Sequence, residues 1–163
     1  MTHTIAQWRI QRFGELSTAD LYALLAVRVA VFVVEQDCPY QDLDGLDDIA
    51  LHVSGWSGDG RPLAYARILP PHSRFEQPSI GRVLTAAPAR GLRFGVGLMR
   101  RSIDATREVY PGRDIRISAQ CYLERFYRSL GFQSASAPYE EDGIPHLEML
   151  LPADADAVDT DPG

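Results

Sequence analysis

The feature that most restricts the fold of this chain is a short apolar strand that runs through a glycine-spaced turn into a helix. Ile80-Gly-Arg-Val-Leu-Thr85 reads as the strand, and Ala89-Arg-Gly-Leu-Arg-Phe-Gly-Val-Gly-Leu-Met99 as the turn and helix start. Glycine is about 1 kcal/mol worse than alanine inside a helix, so its repetition here needs a reason other than helix stability. Downstream, Met99, Ile103, Thr106 and Tyr110 share one helical face, while Arg100, Arg101, Asp104 and Arg107 take the other. Pro111-Gly112 ends that helix, and Ile115 to Ala119 returns to strand.

The same signals place the elements around this unit. Trp8 to Phe13 is a first strand, and Ser17-Thr-Ala-Asp20 matches a capping box at a helix start. The helix runs from Leu21 to Glu35, with Leu21, Leu24, Leu25 and Phe32 on one face. Arg28 and Glu35 fall on that face too, and charges on an apolar stripe need partners or a purpose. Ala50 to Trp56 alternates, setting Leu51 and Val53 against His52, Ser54 and Trp56. Ser57-Gly-Asp-Gly-Arg-Pro62 is a hairpin turn, and Leu63 to Leu69 the return strand. Leu123 to Leu130 is a short helix stopped by Gly131. Phe132 to Ala137 and Leu147 to Leu151 are strands around a loop, Tyr139 to His146. This order predicts an α/β or α+β sheet with helices on both faces.

Composition narrows the function. A chain of 163 residues, 45% hydrophobic and 23% charged, is the size and make-up of one globular domain. The expected division is a single domain over 1–151 and an acidic disordered tail over 152–163. A net charge of -6 argues against a nucleic-acid partner. No signal peptide and no membrane-length apolar run is visible, which points to the cytoplasm. Two cysteines, Cys38 and Cys121, show no metal spacing, so no metal is expected. Asp42-Leu-Asp-Gly-Leu-Asp-Asp48 lacks the ligand alternation of a calcium loop and reads as a solvated turn.

The glycine segment fits neither Gly-x-x-x-x-Gly-Lys-Ser/Thr nor Gly-x-Gly-x-x-Gly. What it offers is a helix start with free amides and a positive dipole end, open to a pyrophosphate at Gly95 and Gly97. Arg90 and Arg93 add charge there. A plain strand-to-helix turn is the alternative these residues leave open.

Arg90-Gly-Leu-Arg-Phe-Gly95 resembles the Gln/Arg-x-x-Gly-x-Gly/Ala signature of the GNAT N-acetyltransferase superfamily, departing at Arg93, where the pattern has its first glycine. Gln120-Cys-Tyr-Leu-Glu-Arg-Phe-Tyr-Arg-Ser-Leu-Gly-Phe132 is similar to that family's Asn-x-x-Ala-x-x-Phe/Leu-Tyr-x-x-x-Gly-Phe, with Gln120 in place of the Asn. Val31-Phe-Val-Val-Glu-Gln36, Cys38-Pro-Tyr-Gln-Asp42, Ala64-Tyr-Ala-Arg-Ile-Leu69 and Glu141-Asp-Gly-Ile-Pro-His146 resemble the ElaA-like branch of the superfamily.

The resemblance implies a mixed central sheet of about six to seven strands and transfer of an acetyl group from acetyl-CoA to an amine of a small molecule or peptide. It implies that Val83, Leu84 and Thr85 run along the pantetheine, and that Arg90, Gly91, Leu92, Arg93, Phe94, Gly95 and Val96 cradle the pyrophosphate. Gln120 joins the coenzyme site, and Tyr127 is the general acid. Leu123, Phe126, Tyr127 and Leu130 also form one apolar face, so packing is the other role open to Tyr127. Glu35 is the first candidate base, with an ion pair as its alternative, and His146 and His52 stand behind it. Arg28, His52, Arg67 and His146 are candidates for the acceptor site; His52 and Arg67 could instead meet solvent. A homodimer is compatible with all of this. Arg28-x-x-x-Phe32 and Arg67-Ile-Leu-Pro70 also resemble acyl-homoserine-lactone synthases, which implies S-adenosylmethionine as an alternative substrate. A fold that binds coenzyme A without turnover is the non-catalytic alternative.

Overall fold

The computed structural model describes residues 3–91 and 93–153. Leu92 and 154–163, the larger part of the expected tail, lie outside the described residues.

The chain forms one mixed sheet of eight strands: β1 (Ile5–Arg12), β2 (Leu51–Ser57), β3 (Pro62–Leu69), β4 (Ser79–Thr85), β5 (Ile115–Gln120), β6 (Gln133–Ser134), β7 (Tyr139–Glu141) and β8 (Ile144–Leu151). Their order is β1-β2-β3-β4-β5-β8-β6, with β7 also on β8. The strand count exceeds the expected six to seven because the predicted loop from Tyr139 to His146 is itself a hairpin. Asp142 and Gly143 both take positive φ, 52° and 79°, and Glu141 pairs with Ile144 across them. Such a two-residue turn matches the twist of its flanking strands. The strand expected from Phe132 to Ala137 shrinks to β6.

Helices cover both faces. α2 (Phe94–Val109) packs Leu98, Met99 and Ile103 onto Leu51, Val53, Ala64, Ala66 and Ile68. Its buried Ser102 and Thr106 donate to the carbonyls of Leu98 and Ser102, at 2.8 and 2.6 Å, so neither hydroxyl is left unsatisfied. On the other face α1 (Thr18–Val29) sets Leu24 against Trp56, Tyr65 and Leu84. The alternation in β2 therefore does not separate core from solvent, because all seven of its residues are buried. α3 (Glu124–Ser129) comes after a 3-10 turn at Cys121–Leu123.

Two local departures matter for the site. The first concerns α1. Ser17 Oγ accepts the Asp20 amide at 3.0 Å as expected, but the Asp20 carboxylate binds Arg9 at 2.9 Å. More consequentially, the helix turns into a π-helical segment at Ala30–Glu35. The wider turn rotates the end of the helix about its axis, so Glu35 leaves the face it was expected to share with Arg28. Arg28 is 1% exposed, whereas the Glu35 side chain is 38% exposed.

The second departure is in β4. It is antiparallel to β3 and parallel to β5, but its only register pair with β5 is Ser79↔Arg116. Beyond that pair the two strands part, and the sheet opens. The β3–β4 register also shifts between Tyr65 and Arg67, where Arg82 takes φ 50°. The extra residue makes a bulge, the usual way a strand bends next to a site.

Candidate active site

The opening between β4 and β5 is a cleft of about 740 Å³ that passes from the turn before α2 to the β7–β8 hairpin. Val83, Leu84 and Thr85 form one wall and Ile117, Ala119 and Gln120 the other. Arg90, Gly95, Tyr127, Glu35, Arg67 and His146 also line it, so the structure brings most of the expected residues together. Gly91, Arg93, Phe94 and Val96 stand in the adjoining turn and first turn of α2 rather than on the cleft wall. Leu92 is outside the described residues.

The turn retains a glycine-type backbone without a glycine at its critical point. Arg93, the N-terminal cap of α2, has φ 61° and ψ 22°, the left-handed conformation that costs a side-chain-bearing residue about 1–2 kcal/mol. Arg93 thus carries a side chain on a backbone conformation that favours glycine. Arg93→Gly is expected to be more stable than Arg93→Ala by about 1 kcal/mol, read as the difference between their thermal midpoints. Gly95 opens to the cleft, where an added Cβ would lie 3.6 Å from the Phe126 ring. Gly97 does not serve this purpose. A Cβ there would meet the Arg101 guanidinium at 3.3 Å and Trp8 at 3.7 Å, on the side of α2 that packs against β1.

Tyr127 is 6% exposed and held edge-on between Phe126 and Phe132, at 5.1 and 5.9 Å between ring centroids. Burial pushes its phenol well above the ordinary tyrosine value, keeping it protonated. Its hydroxyl makes no hydrogen bond among the described residues. It is a protonated donor on the cleft with no protein acceptor.

Glu35 binds Arg90 at 2.5 Å. Arg90 Nε also donates to the Thr85 carbonyl at 3.2 Å. The pair ties the π-helical segment to the end of β4, across the cleft mouth. Gln120 reaches Gln36 at 3.5 Å on the same side.

The acidic run 42–48, expected as a solvated turn, is instead drawn inward by three arginines. Arg28 donates to Asp42 at 3.1 Å and Asp47 at 2.7 Å. Arg67 forks onto both oxygens of Asp44 at 2.8 Å and reaches Asp47 at 3.2 Å. Arg82, on the bulge, pairs with Asp42 at 2.8 Å and Asp44 at 3.3 Å. Burial alone would raise Asp44 and Asp47, but the arginine hydrogen bonds and charges outweigh it and hold both below the usual carboxylate range.

This network also answers for His52. The Asp47 carbonyl, 2.9 Å from Nε2, can only accept, so Nε2 carries the proton. Nδ1 then accepts from the Tyr65 hydroxyl at 2.6 Å, and Tyr65 is kept protonated by burial. Burial also lowers His52 below its ordinary value. Arg28 and His52 lie off the cleft and do not meet solvent. Arg67 lines the cleft, but both ends of its guanidinium are engaged.

At the far end, His146 places Nδ1 2.7 Å from the Ile144 carbonyl and Nε2 3.5 Å from Glu141. Tyr139 stacks on its ring at 6.3 Å. Glu141 also takes Arg74 at 2.6 Å and the Ser118 hydroxyl at 3.4 Å. Sequence reasoning missed Arg74, Ser118 and Glu141 as a group. The Asp142-Gly143 turn was the available signal for Glu141, and Arg74 had none. Cys121 is half-buried, while Cys38 is buried and donates to the Asp142 carbonyl at 3.4 Å. Among the described residues no cluster of three or more His, Cys, Asp or Glu could hold a metal ion, and no helix is long and apolar enough to cross a membrane.

The cleft is thus a split between parallel strands, with a helix start at one end of it. Residues 26–152 match the family model described as the acetyltransferase (GNAT) domain, and the chain belongs to that family. It is 44% identical over 146 residues to protein ElaA of Escherichia coli, covering 88% of this chain and 94% of that protein. The crystal structure of Escherichia coli ElaA aligns with a TM-score of 0.82 at 43% identity, over 88% of this chain and 97% of that one. That of an acyl-CoA N-acyltransferase from Pseudomonas aeruginosa aligns at 0.84 and 40% identity, over 88% and 97%. A coenzyme A-dependent acyl-homoserine lactone synthase, MesI, shares the fold at a TM-score of 0.69 and 13% identity, over 93% and 91%. The protein is an acyltransferase with the GNAT fold.

Proposed function

We propose that this enzyme transfers the acetyl group of acetyl-CoA directly to a primary amine, without a metal, in the cytoplasm. The observation that carries the reading is the cleft itself: the open start of α2 and Gly95 at one end, the unpaired edges of β4 and β5 along it, and the Tyr127 hydroxyl inside. The α2 amides, with Arg90 and Arg93, are suited to a pyrophosphate. The free edge of β4 from Val83 to Thr85 offers backbone groups to the amides of a pantetheine arm, with Gln120 on the opposite wall.

In this reading His146 takes the proton from the acceptor ammonium. Its Nδ1–H is fixed on the Ile144 carbonyl, which leaves Nε2 as the basic nitrogen, and Glu141 steadies the imidazolium that forms. Glu35 is already engaged by Arg90, so its part is to position Arg90. The freed amine nitrogen bonds to the thioester carbon, the carbon–sulfur bond breaks, and Tyr127 gives its proton to the departing thiolate. The second amine proton passes to water as the amide forms, the Tyr127 phenolate regains a proton from water, and the His146 imidazolium returns its own to solvent. Arg28, His52 and Arg67 shape the acceptor side by holding the 42–48 segment in place.

The test is free-thiol release from acetyl-CoA across a panel of amines, with calorimetry of acetyl-CoA and coenzyme A binding in dilute buffer. Heat with both coenzymes and amine-dependent thiol supports the reading. Stabilisation by S-adenosylmethionine and not by acetyl-CoA would refute it.

A further inference from the structure

Three segments distant in sequence meet over the acceptor end of the cleft. The β7–β8 hairpin is joined to the 36–40 segment through Cys38 and the Asp142 carbonyl, and to the loop before β4 through Arg74 and Glu141. Arg74 and Glu141 both line the cleft. Their ion pair is 2.6 Å long, with side chains 32% and 35% exposed. His146 and Asp142 also line the cleft at this end, and Arg74 lies over the Phe75 ring at 5.4 Å.

We infer that this pair is the receptor for the acceptor's two charges, and that the acceptor is a small amine carrying a carboxylate. The inference rests on the acetyl-transfer reading. A pair this exposed is held weakly, because water screens it and two long side chains must be kept ordered, so a ligand can displace it at low cost. Displacement leaves two opposite charges on the cleft wall. Glu141 then takes the ammonium beside His146, and Arg74 takes an anion, with the planar fork that matches a carboxylate. An acceptor without an anion frees Arg74 from its partner and gives it none. A diamine does worse, since it places a second cation against Arg74. An amino-acid-like acceptor leaves neither group unpaired.

The experiment measures kcat/KM by thiol release for each of the proteinogenic amino acids against its amide, and for 1,3-diaminopropane. At least one amino acid is expected to exceed its amide by about tenfold or more, the weight of a hydrogen bond to a charged group. Arg74→Gln is expected to level that ratio, and Arg74→Glu to turn the preference toward the diamine. Amides used as well as acids by the unaltered enzyme, or a preference that survives in Arg74→Gln, would overturn the inference while acetyl transfer stands. Thiol release with no amine at all would overturn acetyl transfer and this inference with it.

Discussion

Arg28→Ala is expected to cost the folded state about 3–5 kcal/mol, because it strands buried carboxylates rather than removing a surface contact. The Arg28 guanidinium reaches Asp42, Asp47 and, at 3.5 Å, the Tyr65 hydroxyl, and its side chain and that of Asp42 are 1% and 2% exposed. Deleting it leaves Asp42 with Arg82 and the Tyr40 hydroxyl, leaves Asp47 with Arg67, and removes the arginine donor from the Tyr65 hydroxyl. In a domain of this size the thermal midpoint should fall by about 10 °C. Arg28→Lys should recover little, since one ammonium cannot serve two carboxylates as a planar fork does. A change below about 1 kcal/mol in urea unfolding for either variant would show that the network is not holding the fold.

The same network sets the acid limit of stability. Asp44 and Asp47 are held below their unfolded value, about 3.9, by Arg28 and Arg67. Their contribution is therefore complete above about pH 4–5 and is lost as pH falls through their depressed native values. The urea midpoint of the unaltered protein should decline between about pH 5 and pH 3, and Arg28→Ala should flatten that decline by relieving Asp47 of its strongest partner.

The second large effect is on turnover. Tyr127→Phe is expected to reduce kcat by about 10²–10⁴, the range for loss of a positioned general acid, with acetyl-CoA affinity changed only a few-fold. Stability separates this from packing. The hydroxyl has no hydrogen-bond partner among the described residues, so its removal should leave the thermal midpoint level or slightly higher. Unchanged kcat in Tyr127→Phe would reduce the residue to part of the apolar face it shares with Phe126 and Leu130.

Local signals made the sheet, α2 and the glycine turn at one end of the cleft legible before the structure. Periodicity places Met99 and Ile103 against the sheet, and glycine chemistry marks the turn before them. The buried ion-pair network and the hairpin end of the cleft were not legible in the same way, and for a physical reason. Arg28 meets carboxylates 14 and 19 residues away, and Arg74 meets one 67 residues away. No spacing rule connects such positions, because the tertiary fold alone brings them together. The π-helical segment failed the reading differently: the apolar stripe through Phe32 is compatible with either helix, and only the wider one turns Glu35 toward Arg90.

The inward-turned acidic run also changes what the protein looks like from a distance. Asp42, Asp44 and Asp47 are matched by Arg28, Arg67 and Arg82 within a few ångströms, so beyond the roughly 8 Å over which physiological salt lets charge be felt the six cancel. Asp154, Asp156, Asp159 and Asp161, with no basic residue among 154–163, account for a further four units of the net -6. Residues 1–153 therefore carry a formal net charge of only -2, so a polyanion approaching the arginines ahead of α2 meets weaker long-range repulsion from them than the bulk charge suggests.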